Sequence, residues 1–204
     1  MNAPHNHAFA EVIQSSLTCW QAQSWKWNYF PHFGSLVKIT TDSIIIFGIV
    51  HDVQTGSIDS LRQPFPYQKT EDELLQEQPQ IFEFLRTTFS CLVFGYKKKA
   101  SLYYHLAPKP VKIHAFVEEC DAATHRMCLS NEQFLLHLIN LSSHIDNFEE
   151  LLLALFNIMK QHNILTQNIL ERLLHVLSIT KVFDYLALKK FTDRLLYLIK
   201  LENL

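Results

Sequence analysis

The sequence predicts an α+β protein, in which a small N-terminal β-barrel with a helical insertion is followed by a C-terminal helical bundle. Two observations predict this fold class. From about residue 8 to residue 118, β-branched and aromatic runs alternate with turn residues, whereas from residue 129 onward the pattern is helical and rich in leucine. Short strands with close turns favour a barrel, because closure removes exposed sheet edges. We therefore place a barrel domain at residues 8–120 and a helical domain at residues 129–204.

The composition is that of a globular protein rather than a disordered one. Of 204 residues, 48% are hydrophobic and 19% are charged, and the formal net charge is −2. Such a charge gives no general attraction to nucleic acid or to anionic lipid. The four cysteines are too sparse for a disulfide scaffold. No apolar run approaches the roughly 18 residues of a membrane helix, and no secretory signal is evident. We expect a soluble cytoplasmic protein with reduced thiols.

Period-two alternation and β-branched runs predict the strands of the barrel. A tight turn at Thr40–Asp42 is expected to join two of these strands, and a basic turn at Lys97–Lys99 to join two others. The predicted strands are Phe9–Ile13, Gly34–Ile39, Ser43–Val53, Phe89–Tyr96, Ser101–Leu106 and Lys112–Val117.

Helix signals appear first within the barrel half and then throughout the rest of the chain. After a long loop at Ser57–Lys69, a capping box at Thr70–Glu73 predicts a helix, which Pro79 interrupts and Gln80–Arg86 continues. The polar stretch Glu118–Arg126 is interpreted as the boundary between the two halves. Four further helices are predicted from their start signals and apolar stripes. They begin near Ser130, Asn147, Thr166 and Thr180.

Two short motifs in the first half resemble a known barrel family. The segments Phe33–Ile39 and Ile46–Val50 resemble the paired strands of the HAS-barrel, which HerA-type DNA translocases and ATP synthase subunits share, and Gly34 and Gly48 match its two glycines. The segments Ala10–Ile13 and Gln78–Phe82 are similar to those of stand-alone bacterial HAS-barrel proteins that carry a helical tail. The resemblance covers roughly residues 8–118. It implies a barrel of assembly type that sits beside a nucleotide-hydrolysing ring.

The chain lacks the enzymatic part of those relatives. It contains no G-x-x-x-x-G-K-[ST] phosphate loop, so translocase or ATPase activity is not carried over. We therefore predict a non-enzymatic binding or assembly module without a cofactor. Its partner is expected to be a protein, such as a ring ATPase or a nucleic-acid-processing complex, and the helical tail offers a second contact or self-association surface. An enzyme with an unrecognised site is a weaker alternative.

Eleven residues are candidates for contact with a partner. The polar segment Asp52–Asp59 is interpreted as a loop whose backbone amides form either an anion-binding nest or a turn that satisfies itself. The basic and aromatic loop Arg62–Lys69, extended by Lys97–Lys99, suggests single-stranded nucleic-acid binding as the second functional hypothesis. Its structural alternative is a proline-stiffened loop and a solvated hairpin tip. The candidates are Asp52, Thr55, Gly56, Ser57, Arg62, Phe65, Tyr67, Lys69, Lys97, Lys98 and Lys99.

Two other clusters leave alternatives open. Metal ligands of the zinc type are usually paired as C-x2–4-C, and the group His114, Cys120, His125 and Cys128 lacks that spacing, so we expect no metal site there. The aromatic group Trp20–Phe30 suits core packing, and any exposed part of it would indicate a partner surface.

Overall fold

A computed structural model describes residues 7–59, 65–180 and 182–201 of the chain. It confirms the predicted α+β fold class, with a barrel in the first half and helices in the second. The strands are β1 (Ala8–Ser15), β2 (Cys19–Ser24), β3 (Leu36–Thr40), β4 (Ile45–Ser57), β5 (Leu85–Lys98), β6 (Ser101–Tyr103) and β7 (Phe116–Glu119). The α-helices are α1 (Glu71–Glu77), α2 (Ala122–Leu129), α3 (Gln133–Asn140), α4 (Phe148–Gln161), α5 (Gln167–Thr180) and α6 (Tyr185–Leu201). Two 3₁₀ turns cover Pro79–Phe84 and Ser142–His144.

Six antiparallel strands close the barrel. They follow the order β2-β1-β7-β3-β4-β5, and a second pairing between β2 and β5 completes the ring, while β6 pairs with the far end of β5. Register shifts in β1 and β4 mark bulges, which bend strands and allow a small sheet to close. The interior is filled by buried apolar side chains that alternate along the strands. Among them are Val12, Trp20, Val37, Val50 and Phe89.

The helices cover part of the outer face of the barrel. Outward-facing barrel side chains, including Phe47 and Phe94, form one apolar cluster with α2–α6. Phe94 stacks on Phe134 of α3 with ring centroids 5.9 Å apart. At Gly34, whose φ is +82°, an added Cβ would lie 2.7 Å from the Cβ of Ala154 in α4. The barrel therefore approaches α4 more closely than any side chain at residue 34 would permit.

Some predicted elements lie elsewhere in the structure. Strand β2 was not predicted, and β6 ends at Tyr103 rather than at Leu106. The prediction that Gln80–Arg86 continues a helix is wrong, because one 3₁₀ turn ends at Phe84 and β5 begins at Leu85. The first helical turn itself is as predicted. The amide of Thr70 donates to Glu73 Oε2 at 2.7 Å, and the amide of Glu73 donates back to Thr70 Oγ1 at 3.3 Å.

The helix starts were predicted less accurately in the second half. The predicted polar boundary contains the first five residues of α2. The N-terminus of α2 is capped by Asp121 Oδ1, which accepts from the amide of Thr124 at 2.8 Å. The predicted capping box at Ser130 is absent, since α3 begins after Glu132 without a side-chain cap. The last helix begins at Tyr185 rather than near Thr180, because Thr180 is the last residue of α5.

Candidate functional site

Strands β4 and β5 continue beyond the closed barrel as a two-stranded arm. Strand β3 pairs with β4 only at Ile45–Ile49, and β2 pairs with β5 only at Thr88–Leu92. Beyond those limits, the end of β4 as far as Ser57 pairs only with the beginning of β5, where Ser57 is opposite Leu85. We call residues 52–59 and 65–87 the arm. It carries the insertion with α1 and the 3₁₀ turn at its tip.

An apolar groove lies on the arm. Its volume is about 550 Å³, and its polar lining residues are Ser57, Asp59, Gln78 and Gln80. The side chain of Phe65 is 70% exposed and that of Phe84 is 58% exposed, although both are large and apolar. No residue of α1 is buried. The apolar lining residues are Phe65, Tyr67, Leu74, Ile81, Phe82, Phe84 and Leu85.

Aromatic contacts hold the groove in place. Trp27, which follows β2, stacks on Phe82 with centroids 5.3 Å apart, and Phe65 meets Tyr67 edge-on at 5.6 Å. Thr87 Oγ1 donates to the carbonyl of Trp27. The loop after β2 therefore braces the arm against the barrel. Of the predicted aromatic group, Trp20 belongs to the core and Trp27 supports the arm. Trp25, Tyr29 and Phe30 are exposed, and their contact with a partner stays a prediction.

The arm contains most of the candidate contact residues. Asp52, Thr55, Gly56 and Ser57 lie on its strand β4. Phe65, Tyr67 and Lys69 lie in the insertion, where Phe65 and Tyr67 line the groove and Lys69 forms an ion pair with Glu77. Arg62 falls outside the described residues.

The lysines of the predicted basic patch lie at the other end of the barrel. In the register of β4 and β5, Lys97 is opposite Ile45 and Leu85 is opposite Ser57. At about 3.3 Å per residue, these two ends of β5 are roughly 40 Å apart. Lys97, Lys98 and the hairpin loop at Lys99 therefore lie far from residues 65–69, the described part of the predicted basic loop. The composite basic surface predicted from sequence is wrong in this respect.

The segment Asp52–Asp59 is not the predicted loop. It is strand as far as Ser57, and its register follows residues 85–90 of β5. An anion nest needs successive amides in a turn conformation, which an extended strand does not provide. Its side chains bond locally: Gln54 Nε2 donates to Asp52 Oδ2 at 2.8 Å, and the hydroxyls of Thr55 and Thr87 are 2.7 Å apart.

The arm is strongly acidic. The continuous segment 52–87 contains seven carboxylates and three basic side chains, which gives a formal charge of −4. The carboxylates belong to Asp52, Asp59, Glu71, Asp72, Glu73, Glu77 and Glu83, and the basic groups to Arg62, Lys69 and Arg86. A surface of this charge repels phosphates and attracts basic partners.

A second cavity of about 500 Å³ lies between the barrel and α2 and α4. His125 in its wall donates from Nδ1 to the carbonyl of Asp121 at 2.9 Å and stacks on His162 at 4.4 Å. Burial, above all, lowers the pKa of His125, and burial raises the pKa of the neighbouring Cys120 thiol. The amide oxygen of Asn157 is also buried there, and no described residue donates a hydrogen bond to it. Over residues 7–59, 65–180 and 182–201, no three His, Cys, Asp or Glu side chains converge as metal ligands.

No protein-family model and no curated protein matches the chain. In the described part of the chain, every helix is too short or too polar to cross a membrane. The assignment of function therefore depends on the geometry of the arm.

Proposed function

We propose that this protein is a non-enzymatic assembly module of HAS-barrel type, which binds a partner protein in the groove of its arm. The observation that carries this proposal is the apolar groove, with Phe65 and Phe84 exposed, on a structure that projects from the barrel. Contiguous exposed apolar surface is typical of binding sites, because burying it in a complex removes it from water.

The rest of the structure supports this kind of function. The groove is built on two long strands and is braced by Trp27, so it requires little ordering when a partner binds. The resemblance to HAS-barrels suggests a ring ATPase as the partner. We place the protein and this partner in the cytoplasm. Free thiols are typical of such a reducing compartment, and the four free cysteines are Cys19, Cys91, Cys120 and Cys128.

Single-stranded nucleic acid is the less favoured ligand. Stacking on Phe65 and Tyr67 would bring phosphates to a segment, residues 52–87, with a formal charge of −4. The three consecutive lysines that would offset this charge lie at the opposite end of β5. We therefore propose protein rather than nucleic acid as the ligand of the groove.

Substitution of the groove tests the proposal. Tagged wild-type protein and the variants Phe84→Ser and Leu17→Ser are used to capture partners from the native host, and the bound chains are quantified by mass spectrometry. Leu17 is the control because it is exposed to a similar extent but lies in the turn between β1 and β2, at the other end of the barrel. We expect a specific partner that is lost with Phe84→Ser and retained with Leu17→Ser. Equal capture by all three proteins would refute the role of the groove.

A further inference from the structure

The outer edge of the arm presents backbone groups that have no partner among the described residues. The amide of Val50 donates to the carbonyl of Ser35 at 3.0 Å, so the backbone of Val50 faces the β3 side. The amide of Ile58 donates to the carbonyl of Phe84 at 2.8 Å, so the backbone of Ile58 faces β5. In an antiparallel strand, alternate residues direct both backbone groups to the same side. A register shift between Val50 and Asp52 inserts His51 and changes this alternation.

Counting back from Ile58 identifies the residues of the open edge. Every second residue from Ile58, namely Gly56, Gln54 and Asp52, faces β5 as Ile58 does. The amides and carbonyls of Val53, Thr55 and Ser57 then point away from β5. Strand β3 has already ended on that side, and no described residue donates to these carbonyls or accepts from these amides.

A bulge at His51 and the charge of Asp52 protect only the barrel end of this edge, and no described residue blocks pairing along Val53–Ser57. Exposed edges are commonly blocked by proline, by lysine or by a covering segment. The stretch Asp52–Ser57 contains neither proline nor lysine. Thr55 is exposed, and an ideal Cβ at Gly56 would meet nothing within 4 Å. The edge is therefore accessible along the part of β4 that reaches the groove at Ser57.

We propose that this edge of β4 binds an extended, basic segment of the partner protein as an added strand, an inference that rests on the function proposed above. An extended peptide presents an amide and a carbonyl at every second residue, which matches the spacing of Val53, Thr55 and Ser57. Where the edge meets the groove, an apolar side chain of that segment would lie against Phe65 and Phe84. The formal charge of −4 on residues 52–87 selects lysine or arginine at the alternate positions.

The first test uses defined peptides and the full chain. Fluorescein-labelled peptides of alternating valine and lysine, or of alternating valine and glutamate, are titrated with the protein and followed by fluorescence anisotropy. We expect the lysine peptide to bind at least about tenfold more tightly than the glutamate peptide. Amide exchange measured by NMR should slow at Val53, Thr55 and Ser57, with no further slowing at Gln54 and Gly56. Equal binding of the two peptides, or no slowing at the three edge amides, would overturn the proposal.

The second test removes one edge amide. Thr55→Pro eliminates the outward N–H, whereas Thr55→Val keeps it and loses only the hydroxyl bond to Thr87. We expect about a tenfold loss of lysine-peptide affinity for Thr55→Pro and wild-type affinity for Thr55→Val. Equal affinities would contradict an added strand. If urea titration shows that Thr55→Pro is unfolded, amide exchange in the wild-type protein takes the place of this test. Slowing at Val53, Thr55 and Ser57 then supports the added strand, and its absence overturns it.

The two proposals fail in distinguishable ways. Loss of partner capture by Phe84→Ser, together with normal capture by Thr55→Pro, would leave the groove as a binding site and refute the added strand. Normal capture by both variants would refute both proposals. Sedimentation of the protein alone provides a further check, because a dimer abolished by Thr55→Pro would assign the edge to a second copy of this chain and overturn a basic partner segment.

Discussion

Replacing Gly48 by alanine tests how closely the barrel interior is packed around Trp20. An ideal Cβ at residue 48 would lie 2.6 Å from Trp20 Cζ2 and 2.9 Å from the Cβ of Cys91. Carbon atoms normally approach to about 3.5–4.0 Å, so either residue 48 or its neighbours must move by roughly 1 Å. Both neighbours are buried and belong to the barrel core. The interior therefore cannot accept the methyl group without strain.

The expected cost of Gly48→Ala follows from two opposing effects. Overpacking a close-packed core costs about 1–3 kcal/mol, and more where rigid groups cannot move. Alanine also restricts the unfolded chain, which returns about 0.4–1 kcal/mol at a compatible backbone conformation. We expect the free energy of unfolding to fall by about 2 kcal/mol, which moves the urea midpoint down by about 1 M at a typical denaturant dependence.

Gly56 on the same strand provides a matched control. Its φ is not in the left-handed region, and an added Cβ would meet nothing within 4 Å, so only the effect on the unfolded chain applies. We expect Gly56→Ala to raise the free energy of unfolding by about 0.5 kcal/mol. Urea unfolding followed by far-ultraviolet circular dichroism measures both variants.

A double substitution identifies the residue responsible for the cost at Gly48. Trp20→Phe removes the atom nearest to the new methyl group, so Gly48→Ala should cost about 1 kcal/mol less in that background. The reasoning is refuted if Gly48→Ala is no more destabilising than Gly56→Ala. It is also refuted if the cost of Gly48→Ala is unchanged in the Trp20→Phe background.

Two further predictions concern the hairpin after β5 and the buried histidines. Lys99 has a φ of +55°, a conformation that glycine adopts more readily, so Lys99→Gly should stabilise the protein by about 0.5 kcal/mol in urea unfolding, whereas Lys98→Gly within the strand should destabilise it. Destabilisation by both would contradict this view. Burial is the main cause that lowers the pKa of His51, His125 and His137. Below about pH 6.5 the unfolded chain therefore binds more protons than the folded chain. The free energy of unfolding should be highest above that pH and should fall on acidification, by at most about 1.4 kcal/mol per pH unit for each histidine. His125→Gln should reduce the fall between pH 7 and pH 5.5, and an unchanged slope would argue against a neutral buried His125.

Local signals predicted the elements whose structure depends on local interactions. The alternation in β3 and the capping box at Thr70 are confirmed, because side-chain periodicity and a side chain three residues away are properties of neighbouring residues. Strand β2 was missed because its segment, Cys19–Ser24, contains alanine and two glutamines, which favour strands only weakly. It is a strand because β1 and β5 supply partners on both sides. Helix α2 similarly depends on the burial of residues such as Cys128 and Leu129 against the barrel.

The candidate site was predicted in its residues but not in its geometry. The polar composition of Asp52–Ser57 suggested a loop, because core-facing strands are rarely so polar. These residues form a strand because β5 pairs with one side of their backbone. They are polar because no described element pairs with the other side, so the strand lies at an open edge. Which amides are left open depends on the bulge at His51, since its extra residue exchanges the directions of all later backbone groups. Composition contains no signal for that bulge, so the accessible edge at Val53, Thr55 and Ser57 follows only from the pairing of β4 with its neighbours.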